Sequence, residues 1–161
     1  MRIVILLISF VVAISCVKKP SKSPIPAIEF KDFTYKKVSG LDSGFVTFEY
    51  EDGDGDIFVG KFSSQINVVI VTLRLDDKSG NFIQDTTVTP DGVKIPIVNA
   101  QSVKQPGDGY KGNAVKGTIT VPFGDFRVSD KVKVIKHQVY VVDEAGNKSN
   151  VVLSPVYNLT I

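Results

Sequence analysis

Asp52-Gly53-Asp54-Gly55-Asp56 places carboxylates at alternate positions with glycines between them. Glycine lets a short backbone bend sharply, so the side chains can converge on one point. Converging carboxylates suit a hard divalent cation. Calcium takes ~6–8 oxygen ligands, carboxylates and carbonyls among them. The EF-hand pattern is not met, because Ile57 stands where that loop needs its glycine and no Glu follows at its last position. A solvated turn is the other reading, since Gly and Asp both favour turns.

The remaining reactive groups are sparse. His137 is the only imidazole and Cys16 the only thiol. A general base needs a nucleophile and an orienting acid beside it. His137 lies in an alternating run with Val139 and Val141, which fits packing or a hydrogen bond better than catalysis. No Gly-x-Ser-x-Gly, P-loop, His-Glu-x-x-His or Cys-x-x-Cys pattern occurs. The sequence therefore offers no catalytic residues, and hydrolysis is the least supported activity.

Cys16 is informative through its position. Arg2 precedes an apolar run from Ile3 to Ile14, broken only by Ser9. About twelve residues of helix rise roughly 18 Å, short of a bilayer core of about 30 Å. Such a run suits a secretory leader. Ala13-Ile14-Ser15-Cys16 follows. It resembles the lipobox of bacterial lipoproteins, with Ser15 as the small residue before the cut and Cys16 as the acylated thiol. Ala13 and Ile14 depart from the commoner Leu and from the usual Ala or Ser. The resemblance implies a signal peptide over 1–15, a lipidated Cys16 and a Pro/Ser/Lys-rich tether over 16–27. An ordinary signal peptide, or a buried N-terminal strand carrying Cys16, are the other readings. Residues 17–19 (Val-Lys-Lys) carry no acidic run and no Asp; for a lipoprotein the resemblance then implies the outer membrane of a Gram-negative envelope, with the periplasmic and the surface face both open.

From Ile28 to Ile161 the pattern is all-β. Val46, Phe48 and Tyr50 alternate with polar residues, the period of a half-buried strand. Further strands are expected over 28–38, 66–75, 114–123, 132–142 and 151–161. On the 66–75 strand, Val69, Val71, Leu73 and Leu75 share one face. Residues 82–113 are the least regular and should hold one or two short strands. Within them, 104–113 reads as a long connection, or as a binding loop with Tyr110 exposed.

His137-Gln-Val-Tyr-Val-Val-Asp143-Glu-Ala-Gly146-Asn147-Lys-Ser149 resembles the last hairpin of fibronectin type III and bacterial immunoglobulin-like domains. The resemblance implies a single β-sandwich of about seven strands. In that architecture the loop after the second strand and the loop before the last lie at the same end. Asp143 would then join Asp52, Asp54 and Asp56 around one calcium ion, at the end where the tether arrives.

Composition fits a single domain. Hydrophobic residues make up 43% of 161, and 19 basic residues nearly balance 17 acidic ones. A near-neutral domain lacks the basic footprint of nucleic-acid binding. The expected function is a non-enzymatic envelope module, joined to a membrane by acyl chains and binding a protein or glycan. An accessory subunit of an outer-membrane complex is the second reading. The absence of Trp counts against a glycan-stacking platform.

Overall fold

The computed structural model describes residues 22–38, 41–60, 63–104, 109–124 and 134–158. The apolar leader, Cys16 and the tether up to residue 21 lie outside them. The described chain contains no helix. Its strands are β1 (Ala27–Val38), β2 (Leu41–Asp52), β3 (Val68–Leu75), β4 (Phe82–Gln84), β5 (Thr86–Val88) and β6 (Lys94–Pro96). They continue with β7 (Val98–Gln101), β8 (Val115–Gly124), β9 (Val134–Val141), β10 (Val152–Leu153) and β11 (Tyr157–Asn158).

The strands form antiparallel sheets, and the arrangement is consistent with a β-sandwich. One sheet has the order β1-β2-β8. In the other, β9 pairs β3, with β10 and β11 on the far side of β9, and β4 and β7 on the far side of β3. Alternation along β2 buries Val46, Phe48 and Tyr50, and β8 adds Ile119, Val121 and Phe123. These meet Val68 and Ile70 of β3 and Ile135, Val139 and Val141 of β9 in one core. Burying a large apolar side chain contributes ~1.5–3 kcal/mol, so the shared core holds the two sheets face to face.

Val69, Val71, Leu73 and Leu75 share one face of β3, and the face that enters this core is the opposite one, with Val68 and Ile70. Register decides it: Ile70 pairs with Val139 and Val68 with Val141, and cross-strand partners share a face. The strand begins at Val68 rather than Ile66, which is half exposed. The irregular stretch holds four short strands, β4 to β7. Among them, β5 and β6 make a ribbon that pairs with itself, standing between β4 and β7.

The strand count exceeds the expected seven because the larger sheet has interrupted outer edges. The ribbon separates β4 from β7, and Ser154-Pro155 separates β10 from β11. Proline cannot donate to a ladder, which explains the second break. Ser154 stays stitched to β9: its N–H donates to His137 O at 2.9 Å, and its Oγ accepts from His137 N at 2.8 Å.

Candidate metal centre

Asp52 is the last residue of β2, and the chain then crosses to β3 through residues 53–67. The crossing needs its glycines. Gly55 has φ of 72°, and a Cβ there would lie 2.0 Å from Tyr110 O and 2.5 Å from Asn113 O. The loop is thus packed backbone to backbone against residues 110–113.

Asp143 lies two residues past the end of β9. Its turn is closed by Asp143 N–H donating to Asn147 O at 3.0 Å, with Gly146 at φ of 91°. Asn147 donates to both carboxylate oxygens of Asp143, from its backbone at 2.7 Å and its side chain at 2.8 Å. The two loops are sewn together. Glu144 N–H donates to Asp56 O at 2.9 Å, and Ala145 N–H to Asp56 Oδ2 at 3.1 Å.

This stitching brings Asp52, Asp56 and Asp143 together. Each offers a carboxylate oxygen, and these oxygens lie within 4.8 Å of one another. A calcium ion with Ca–O bonds of ~2.3–2.6 Å has a ligand shell about 4.6–5.2 Å across, so such oxygens can share one ion. Magnesium, at ~2.0–2.1 Å with near-ideal octahedral geometry, needs a tighter and more regular set. Asp54 stands outside this triad and is half-buried, although its Oδ1 is buried and unpaired.

Burial makes the grouping costly. Asp52 and Asp143 are 0% exposed and Asp56 7%. Buried charge is tolerated when it is paired or binds metal. None of the ion pairs among the described residues includes any of the three. Asp52 Oδ2 accepts from Ile57 N–H at 3.0 Å, yet Oδ1 of Asp52 and Oδ1 of Asp56 have no hydrogen-bond partner. Desolvation, then repulsion from Asp143 and Asp54, pushes the Asp56 carboxyl up to about 6. Desolvation, aided by Asp54 and Asp143, also raises Asp52. A proton or a cation can relieve this strain. Lys111 reaches only Glu144, at 2.9 Å on the exposed rim.

Asn67 gives no sequence signal, yet it organises the site. It is 1% exposed, and its Nδ2 donates to Ile57 O at 2.8 Å and Val103 O at 3.1 Å. Its Oδ1 accepts from Val103 N–H at 2.6 Å, and its backbone O from Val142 N–H at 2.8 Å. One residue therefore holds the acidic loop and residue 103 with its side chain, and the approach to Asp143 with its backbone carbonyl.

Tyr110 is half-buried rather than exposed, its ring 5.8 Å from that of Phe58. His137 sits in the core, its Nδ1 3.2 Å from Thr72 Oγ1 and its ring 4.5 Å from Phe33. Burial pushes its pKa down to about 4, so it is neutral at physiological pH. It lies in mid-β9, six residues before Asp143, and bonds to Thr72 and Ser154.

Compared with family models, curated proteins and solved structures, the chain matches none.

Proposed function

We propose that the chain is a non-enzymatic, calcium-binding β-sandwich module of a bacterial envelope, held to a membrane by acylation of Cys16. The observation that carries the calcium reading is the buried triad Asp52, Asp56 and Asp143, with unpaired oxygens on Asp52 and Asp56. Carboxylate and carbonyl oxygens with no nitrogen or sulfur donor favour calcium or magnesium over zinc, and the shell size favours calcium. The ion would join the end of β2 to the end of β9, fixing one end of the domain.

Strand order supports the immunoglobulin-like reading. β1, β2 and β8 take the places of strands A, B and E, and β3, β9 and the β10–β11 stretch those of C, F and G. Loops on such a scaffold are the usual seat of binding. The partner is an envelope protein or glycan, or, on the second reading, the larger outer-membrane complex to which the module belongs.

Titration calorimetry on EDTA-treated protein tests the site. Calcium should bind one to one, and Asp56→Asn and Asp143→Asn should each weaken it at least about ten-fold, or ~1.4 kcal/mol. Absence of heat with calcium would refute the reading.

The anchor is tested separately. Cys16→Ser should move the protein from the membrane fraction to the soluble fraction, because each buried acyl CH₂ contributes about 0.8 kcal/mol. Continued membrane retention would overturn lipidation at Cys16.

A further inference from the structure

The acidic loop has a neighbour that cation binding does not require. A Cβ on Gly53 would lie 2.2 Å from Lys22 O and 2.3 Å from Ser23 O. The segment leading into β1 therefore lies directly on the backbone between Asp52 and Asp54. The Lys22 ammonium also pairs with Glu51, next to Asp52. Ser23 Oγ accepts from Ile25 N–H at 3.1 Å, which bends the segment locally, and Pro26 is buried. Beyond this, Ile28 is held independently: its N–H donates to Asn150 Oδ1 and its carbonyl accepts from Asn150 Nδ2, both at 2.8 Å.

We propose that the cation site is a latch on the N-terminal segment: a divalent cation at Asp52, Asp56 and Asp143 holds Lys22 and Ser23 on the Gly53 backbone, and its loss frees them. The inference rests on the calcium reading. A cation pulls Asp52, just before Gly53, and Asp56, three residues after it, toward one point and fixes the surface that Lys22 and Ser23 meet. Without it, Asp52, Asp54 and Asp56 repel, and the loop loses that shape. A ligand shifts such an equilibrium by its preference for one state, and here only the shaped loop presents the ligand set. Among the described residues, release moves the first held position from Lys22 to the start of β1 at Ala27. The segment ahead of the domain then gains residues 22–26, about 16 Å at ~3.1 Å per extended residue. Calcium would set the distance between domain and membrane.

Limited trypsin digestion of the full chain, with calcium and after EDTA, reads this directly. Cleavage after Lys22 reports release, and cleavage after Arg74, near the end of β3 and paired on both sides with β4 and β9, reports global unfolding. Calcium should slow the Lys22 cut about ten-fold while the Arg74 cut stays rare in both conditions, since cleavage tracks the open population. Gly53→Ala, which crowds Lys22 and Ser23 directly, should be cut rapidly at Lys22 even in calcium. Slow cutting of that variant in calcium would count against the latch. If calorimetry shows calcium binding but the Lys22 rate does not change, the latch is wrong and the cation site stands. If both cuts slow in proportion, calcium stabilises only the whole fold, and the latch is again wrong. If no calcium binds, both ideas fall together.

Discussion

The calcium-loaded domain should melt about 8–10 °C above the EDTA-treated one, at a calcium concentration near one hundred times the dissociation constant. At that occupancy a ligand specific to the folded state contributes ~2.7 kcal/mol. The pH dependence should differ between the two forms. Without metal, Asp56 has a folded pKa of about 6, above the unfolded value near ~4. A raised folded pKa contributes stability that is fully present below about pH 4 and is lost as pH rises through about 6. The metal-free domain should therefore melt higher at pH 5 than at pH 7.5. Protons compete with calcium for the same oxygens, so the increment from calcium should shrink over the same fall in pH. Differential scanning calorimetry at the two pH values measures both effects. Equal melting temperatures with and without calcium at pH 7.5 would remove the site.

Asn67→Ala is the second large effect, a loss of about 2–4 kcal/mol in urea denaturation with the slope unchanged. The substitution strands Ile57 O and Val103 N–H, whose partner is the Asn67 side chain, while Val103 O keeps the Val59 N–H at 3.2 Å. Leaving a buried polar group unpaired costs ~1–3 kcal/mol, and neighbouring losses partly share one relaxation. Asn67→Asp should be no milder, because it keeps the acceptor and points a second carboxylate oxygen at two carbonyls. Calcium affinity should fall in both variants, since Asn67 holds the carbonyl of Ile57, whose N–H in turn holds Asp52. A loss below about 0.5 kcal/mol, the scale of an ordinary surface change, would show that residue 67 is not the fastener described.

Much of this was legible in residue order, and the remainder was not, for definite reasons. Period-two alternation marked β2, since Val46, Phe48 and Tyr50 have polar neighbours on both sides. On β3 nearly every residue is apolar, so alternation could not say which face enters the core; only the register with β9 decides. Asp143 could be placed near Asp52 and Asp56 from topology, because loops at one end of two facing sheets meet. The exclusion of Asp54 from the triad is a matter of local geometry that spacing cannot express. Asn67 and the Gly53 contact escaped for the same reason. Each depends on a partner far along the chain, Val103 for one and Lys22 for the other, and neither partner leaves a periodic trace.

The interrupted outer edges of the larger sheet have a consequence of their own. A continuous edge strand is a template on which another chain can hydrogen-bond. Here Ser154-Pro155 breaks one edge, with Ser154 bonded inward to His137, and the β5–β6 ribbon breaks the other. At high local concentration the larger sheet therefore offers a neighbouring copy no long edge to extend among the described residues, and the long edge strands of the domain, β1 and β8, both belong to the smaller sheet.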